Sequence, residues 1–203
     1  VVDRHDLAAL ARCWLDDYRW IAHWKLDETE GNIAHDSAGD NDGILNGDPI
    51  WRPSDGKIQG ALELDGVNDY VSTPFVLNPA EGPFSVFMWV KGGVPGQAIL
   101  SQASGSDWLS TIPPMGWIMT NCGGSLVTQI VITDGQWHRL GLTWDGTNRI
   151  LYVDEKVVAS DTPAGIDAAL GGLHIGANNA LSAGLFWSGL IDDVRIYDCA
   201  TEP

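Results

Sequence analysis

From residue 21 onward, the chain alternates short apolar runs with clusters of glycine, aspartate, asparagine and proline. Such runs are typical of β-strands, and the clusters between them are typical of turns. They predict strands at 21–26, 43–46, 60–65, 69–73, 84–91, 97–102, 107–112, 116–120, 126–132, 137–144, 149–153, 157–160, 172–177 and 186–197. Many short strands without helices between them indicate an all-β fold of two stacked antiparallel sheets.

Two parts of this pattern predict how particular strands are placed in the sheets. Residues 138–144 alternate in polarity, 145–148 read Asp-Gly-Thr-Asn, and 150–153 are apolar again. An Asp-Gly turn between two such runs predicts a β-hairpin. Residues 84–90 are apolar at nearly every position, which predicts a central strand with both faces covered.

The first twenty residues follow a different period. Apolar side chains recur at helical spacing within 6–15, where they are Leu7, Leu10, Ala11 and Trp14. Asp3 or Asp6 can cap the first turn, so we predict one short N-terminal helix. The predicted organisation is a helical segment or linker at 1–20, followed by one sandwich domain at 21–203.

Composition narrows the classes of partner. The formal net charge is −16, from 27 acidic and 11 basic side chains. This balance excludes nucleic acid, whose phosphates require clustered Lys and Arg, and it disfavours anionic membrane surfaces. No apolar run approaches the roughly 18 residues that a membrane span requires. Ten Trp residues are unusual, and they predict either bulky core packing or stacking on sugar rings.

Five blocks, in order, resemble the laminin-G-like, or concanavalin A-like lectin/glucanase, jelly-roll domains of bacterial secreted proteins. The blocks are 24–28 with 36–43, 60–66 with 69–71, 84–91, 134–138 with 143–146, and 189–197. The similarity covers about residues 21–200. It implies a jelly-roll sandwich whose first and last strands, 21–26 and 190–197, are antiparallel neighbours.

That neighbourhood has a consequence for the three cysteines. If the first and last strands pair, the chain before residue 21 emerges near the chain after residue 197. The resemblance therefore implies that Cys13 and Cys199 come close enough for a disulfide bond. Cys122 is then expected to be a free, buried thiol.

The resemblance also implies a structural Ca²⁺ that ties the N-terminal part of the domain to the closing strand. Ca²⁺ binds six to eight oxygen ligands from carboxylates and carbonyls. Asp27, Asp36, Asn41 and Asp192 are the candidate ligands. The alternative is that Asp36 and Asn41 only stabilise a turn, and that Asp192 pairs with a neighbouring side chain.

A sugar-binding site requires an exposed aromatic ring with polar side chains beside it. Trp24, Trp89, Trp137, Trp144 and Trp187 fall at positions that the family uses for its core. Trp108 and Trp117, which flank a Pro-Pro loop, and Trp51 do not, so they are the candidate stacking rings. The candidate polar partners are Asn121, Gln129, Asn178 and Asn179. Alternatively, Trp108 and Trp117 pack over the edge of the sandwich and contact no ligand. The exposure of the two rings to solvent distinguishes these alternatives.

No complete catalytic motif is present in the sequence. Some enzymes of this fold carry Glu-x-Asp-x-x-Glu on one strand, whereas residues 63–65 read Glu-Leu-Asp with no second Glu. Residues 136–138, Gln-Trp-His, have no Tyr or Arg placed to complete a lyase site. We expect a non-catalytic module of a larger secreted bacterial protein, monomeric, that binds an oligo- or polysaccharide. The alternative is a structural or adhesive module that binds protein.

Overall fold

A computed structural model describes residues 20–203, which form sixteen strands and no helix. Among these residues, therefore, no helix is long and apolar enough to cross a membrane. The strands are numbered in chain order. They are β1 Trp20–Trp24, β2 Ile33–Ala34, β3 Gly43–Asn46, β4 Ile50–Arg52, β5 Ala61–Asp65, β6 Tyr70–Ser72, β7 Phe84–Gly92, β8 Ala98–Gln102, β9 Asp107–Ile112, β10 Trp117–Thr120, β11 Leu126–Val131, β12 Trp137–Trp144, β13 Arg149–Val153, β14 Lys156–Asp161, β15 Leu173–Ile175 and β16 Ser188–Tyr197.

The strands form two antiparallel sheets. Sheet A has the order β14-β13-β12-β7-β16-β5-β4, with β1 also paired to β16, and sheet B has the order β11-β10-β9-β8-β15-β6-β3-β2. The prediction of a two-sheet antiparallel jelly roll is confirmed. The helix predicted at 6–15 lies outside the described residues.

Each of the predicted strands corresponds to an observed one, and two observed strands were missed. The missed strands are β2 and β4, which have two and three residues and lie at the ends of sheets B and A. A run this short contains too few residues to display a period of two. The sequence pattern could not have distinguished these segments from loops.

The first and last strands pair as expected. Strands β1 and β16 are antiparallel, with Trp20 opposite Tyr197 and Trp24 opposite Val194. Cys122 is buried and free, as predicted. Cys199, two residues beyond β16, is disulfide-bonded, whereas Cys13 lies outside the described residues, so the pairing of Cys13 with Cys199 stays a prediction.

Strand β7 explains why an aromatic surface forms outside the core. Phe84, Val86, Met88 and Val90 point into the main core between the sheets. Phe87 points the opposite way and joins a second buried cluster on the outer face of sheet A. Both faces of β7 are therefore covered, as the sequence predicted.

Candidate functional site

Trp108 is not a sugar-stacking ring. Its exposed fraction is 0%, and its ring lies 5.0 Å from that of Phe84 inside the main core. Trp108 and its neighbour Leu109 are both buried. The sequence around them therefore does not alternate between apolar and polar residues, and it could not show that the Trp108 side chain points into the core.

Trp117 lies on the outer face near the edge of sheet B and is half-buried. Its strand neighbours are Ile112 on β9 and Val131 on β11. Met115, in the loop that follows the cis Pro113-Pro114 bond, is 49% exposed, and Val131 is 42% exposed. The surroundings of Trp117 are thus predominantly apolar.

The four predicted polar partners of the tryptophans differ in how far they are exposed to solvent. Asn121 and Gln129 are exposed. Asn178 is 6% exposed, and its amide bonds Ser182, so its assignment as a ligand contact was wrong. Asn179 is half-buried and donates its amide to the Gly105 carbonyl.

Trp51 lies on the edge strand β4 and is half-buried. Its indole Nε1 donates a hydrogen bond to the Gly31 carbonyl at 2.9 Å. The ring therefore ties β4 to the loop before β2. The structure does not bring Trp51 into the same site as Trp117, which is on the other sheet.

The structure instead shows a groove on the outer face of sheet A, with a volume of about 770 Å³. This volume lies within the range of roughly 300–1,000 Å³ typical of small-molecule sites. We call it the sheet-A groove. Its lining residues come from five strands, one turn and the C-terminal segment, and they are Trp20, Phe87, Arg139, Thr143, Asp145, Asn148, Ile150, Tyr152, Arg195, Tyr197, Ala200, Thr201, Glu202 and Pro203.

The floor of the groove is a rigid aromatic cluster. Phe87 meets Tyr152 and Tyr197 edge to face, with ring centroids 6.3 and 5.9 Å apart. Gly141 makes this possible, because a Cβ there would lie 2.6 Å from the Phe87 ring. The three rings are 2–6% exposed, whereas Trp20, edge-to-face with Tyr197, is half-buried. Trp20 is thus the most accessible ring of this group, although the His23 ring lies 4.7 Å from it and covers part of its surface.

Two arginines line the walls of the groove. The guanidinium of Arg139 lies 5.5 Å from the centre of the Phe87 ring, and that of Arg195 lies 5.2 Å from the centre of the Trp20 ring. Such cation–π contacts fix the planes of both guanidinium groups. Their remaining N–H groups can then donate to hydroxyls in fixed directions.

Polar groups at the rim complete the lining. Asp145 accepts hydrogen bonds from the backbone of Thr147 and Asn148, which together with the Asn148 amide outweigh burial and hold the pKa of Asp145 below its usual value. Burial raises the pKa of Tyr152, and the Glu202 carboxylate adds to this effect, so Tyr152 is a neutral hydroxyl at physiological pH. The groove therefore combines an apolar floor with hydroxyl, amide, carboxylate and guanidinium groups.

Sequence reasoning did not find this groove. Each strand contributes only one or two outward side chains, and no local motif joins them. One signal was available, namely the apolar character of both faces of residues 84–90. It indicated a covering over the outer face of β7 without showing which residues form it.

Of the four predicted calcium ligands, the structure brings Asp27 and Asp192 to one place. Asp27 Oδ1 accepts from the Gly60 N–H and Asp192 Oδ2 from the Ile58 N–H, both at 2.8 Å, so both carboxylates hold the same loop. Asp192 is fully buried, and its Oδ1 has no hydrogen-bond partner. Burial, with the charges of Asp193 and Asp27 adding to it, raises the pKa of Asp192 to about 7.

Asp36 and Asn41 do not belong to that place. Asp36 Oδ1 accepts from the backbone N–H groups of His23 and Ala38, and Oδ2 accepts from the backbone and side-chain N–H groups of Asn41. A carboxylate has about four lone-pair positions, and all of them are occupied. Asp36 is therefore a turn anchor, and its assignment as a metal ligand was wrong; Asn41 serves the same turn.

A calcium ion at Asp192 would require backbone carbonyls as further ligands. Among residues 20–203, no group of three or more His, Cys, Asp or Glu side chains is arranged to hold a metal. Ca²⁺ nevertheless accepts carbonyl oxygens, and an unpartnered buried carboxylate oxygen is the kind of group it satisfies. Leu26, Gln59 and Asp193 have positive φ angles of 59°, 62° and 52° beside the two carboxylates. The donor set fits Ca²⁺ in part, with two carboxylates present.

A second polar network resembles a hydrolytic relay but is saturated. His23 Nε2 lies 2.8 Å from Asp193 Oδ1, and Ser37 Oγ lies 3.0 Å from His23 Nδ1. Burial opposes ionisation of Asp193, but His23 and Arg195 together hold its pKa below the usual value. The N–H groups of Ser37 and Ala38 donate to the His23 carbonyl and to Asp36, which leaves neither for an oxyanion. The network joins β1 to β16.

Comparison with known families gives one match. Residues 65–203 match the model of a laminin-G-type family described as the concanavalin A-like lectin/glucanases superfamily. The match covers more than half of the chain. A comparison with curated proteins finds no match.

Solved structures show the same fold. Domain 4 of AbnA, a GH43 extracellular arabinanase from Geobacillus stearothermophilus solved in complex with arabinotriose, is 24% identical, with a TM-score of 0.69 over 90% of this chain and 93% of that one. Trypanosoma rangeli sialidase is 12% identical, with a TM-score of 0.67 over 90% of this chain and 31% of that one. The receptor binding domain of botulinum neurotoxin C/D mosaic serotype is 13% identical, with a TM-score of 0.65 over 90% and 48%. This chain thus spans about a third of the sialidase and half of the toxin domain.

Proposed function

Because the chain belongs to the concanavalin A-like lectin/glucanases superfamily, we propose that it is a non-catalytic carbohydrate-binding module of a larger secreted protein. The fold alone hosts many functions, so the proposal depends on a site. The observation that carries it is the sheet-A groove. The presence of this fold in an extracellular arabinanase domain bound to arabinotriose supports the ligand class and the location outside the cell.

The groove suits a sugar in two respects. A sugar ring has an apolar C–H face, which requires an aromatic surface, and the half-buried Trp20 offers one at the wall of the groove. The ring hydroxyls require donors and acceptors at its edge, which Arg139, Asn148 and Glu202 offer. Such shallow sites give micromolar to millimolar dissociation constants, or about −8 to −4 kcal/mol.

A structural Ca²⁺ at Asp27 and Asp192 forms part of the same proposal. The ion would neutralise the buried, unpartnered Oδ1 of Asp192 and fix the loop at 58–60 against β16. Its role would be stability, because Asp27 and Asp192 do not line the groove.

The direct test is a screen of soluble polysaccharides by affinity electrophoresis, with the full chain and its Trp20→Ala variant. The proposal predicts that at least one polysaccharide retards the wild-type protein and that the variant migrates freely. A reducing-sugar assay on the retarding polysaccharide should show no release of product. If no polysaccharide retards the protein, or if the variant is retarded equally, the proposal is wrong.

A second function is favoured by a different surface. On sheet B, half-buried Trp117 lies among exposed apolar side chains, with Met115 49%, Val127 41% and Val131 42% exposed. Contiguous apolar surface at a sheet edge can mark a protein contact. A structural or adhesive role predicts that Trp117→Ala weakens an association between proteins and leaves sugar binding unchanged.

A further inference from the structure

The charges around the sheet-A groove point to the class of sugar that it accepts. We infer that the groove binds a neutral glycan and discriminates against uronate-containing or sialylated ones. This inference rests on the proposed carbohydrate-binding function and specifies its substrate class.

Both cationic side chains in the walls of the groove already have a carboxylate partner. Arg195 is held by both oxygens of Asp193, with Nε to Oδ1 at 3.0 Å and Nη2 to Oδ2 at 2.9 Å. That fork-to-fork pair uses the geometry with which arginine would otherwise bind a ligand carboxylate. Arg139 Nη1 pairs with Glu155 Oε1 at 3.4 Å. Neither arginine is free to compensate an incoming anion fully.

The remaining charges in the groove repel an anion. Asp145 and Glu202 line it, and the chain carries a formal net charge of −16. Within the lining, Arg139 and Arg195 balance Asp145 and Glu202. The ion-pair partners Asp193 and Glu155, which lie outside the lining, bring the balance to two minus four, or −2, with His23 beside Asp193 counted as neutral. A field of this sign slows the approach of anions and lowers their local concentration.

A neutral sugar is not affected by this field and can use the same groups. Carboxylates accept hydrogen bonds from hydroxyls, and the free N–H groups of paired arginines still donate to them. The part of the Trp20 ring that His23 and Arg195 leave uncovered provides an apolar surface that requires no charge on the ligand. Hydroxyl-rich neutral chains therefore complement the groove, whereas acidic chains leave a carboxylate beside Asp145 or Glu202.

The test is isothermal titration calorimetry of the full chain with three neutral trisaccharides, arabinotriose, xylotriose and cellotriose, and with the anionic trigalacturonate. We expect the best neutral ligand to bind at least about tenfold more tightly than trigalacturonate. Its dissociation constant should change less than about twofold between 20 and 300 mM NaCl, since screening acts on charged pairs.

The outcomes separate this inference from the function on which it rests. If none of the four ligands binds and polysaccharides also fail, the carbohydrate-binding function is wrong. If trigalacturonate binds most tightly and weakens with salt, the function stands and the neutral assignment is overturned.

A matched pair of variants tests the charge argument itself. Glu155→Gln removes the partner of Arg139, and Glu30→Gln removes an equal charge on the exposed loop before β2. We expect Glu155→Gln to raise trigalacturonate affinity about two- to fivefold, as an exposed ion pair implies. Glu30→Gln should have little effect on it. An equal response of the two variants would overturn the neutralisation argument.

Discussion

Two regions of this domain contain conspicuous aromatic side chains, and they differ in what surrounds the rings. The sheet-A groove places the aromatic cluster of Phe87, Tyr152 and Tyr197 among arginine, hydroxyl and carboxylate groups. The β9–β10 hairpin of sheet B places Trp108 inside the core and Trp117 among apolar neighbours. An aromatic ring by itself is therefore a poor sign of a sugar site. The polar groups that converge around it decide its use.

The largest effect is expected at Trp108. Trp108→Ala removes a fully buried ring that packs on Phe84, and it leaves a cavity in the main core. The expected loss of unfolding free energy is about 3–5 kcal/mol. Urea denaturation measures it, with Trp117→Ala as the matched control of smaller effect. A loss below about 1 kcal/mol at Trp108 would mean that its ring is not in the core.

Calcium should have the next largest effect on the free energy of unfolding. This effect should depend on Asp192, which lies on β16 of sheet A. At a hundredfold excess over its dissociation constant, Ca²⁺ should stabilise the domain by about 2.7 kcal/mol. This corresponds to a rise in Tm of about 5–11 °C by differential scanning calorimetry. Asp192→Asn should abolish this rise without lowering the stability measured in EDTA.

Asp36→Asn provides the matched control for calcium. Its four N–H partners predict a loss of stability with the response to Ca²⁺ retained. A Tm of the wild-type protein that is the same in EDTA and in Ca²⁺ would exclude the structural ion. A response lost in Asp36→Asn and kept in Asp192→Asn would place the ion elsewhere.

The two half-buried tryptophans provide the sharpest contrast in binding. Trp20→Ala removes the accessible ring of the groove and should weaken glycan binding at least tenfold, or about 1.4 kcal/mol, as loss of an aromatic anchor does. Trp117→Ala should change it less than twofold. Calorimetry with the same glycan measures both. The reverse order would move the binding site to sheet B.

The smallest effect is the pH dependence of stability that arises from His138, on β12 of sheet A. Burial acts to lower the pKa of His138, but hydrogen bonds with Asp154 and Asp134 outweigh it, so the pKa is raised. A raised pKa gives stability that is complete below the unfolded value of about 6.5 and is lost as pH rises through the folded value.

His138→Gln isolates this contribution. Wild-type protein should exceed the variant in unfolding free energy by about 1 kcal/mol or less at pH 5.5, because both carboxylates are half-exposed. The difference should shrink by pH 8.5. A difference that grows with pH would contradict the assignment of His138 as a cation between two carboxylates.

The sequence predicted the sheets much better than the site. Strand positions follow from the alternation of side chains along one segment, so β7, β12 and β16 could be located from local pattern. Strands β2 and β4 escaped because two or three residues show no period. The pairing of β1 with β16 came from the family resemblance and is confirmed.

The site is formed by residues from several separate segments of the chain, so no single segment of the sequence reveals it. Trp20, Arg139 and Glu202 are far apart in sequence and meet only because β1, β7, β12 and β16 lie side by side. Asp36 and Asp192 look alike in the sequence. They differ in how many N–H groups point at each carboxylate, which requires three-dimensional placement.

The most direct test of the sheet-A groove as the binding site is an amide and arginine side-chain NMR titration of the full chain with arabinotriose. The groove predicts chemical-shift changes at residues 139–152 and 195–202 and at the Nε–H groups of Arg139 and Arg195. Shifts confined to residues 108–131 of sheet B, with those of the groove unchanged, would contradict it.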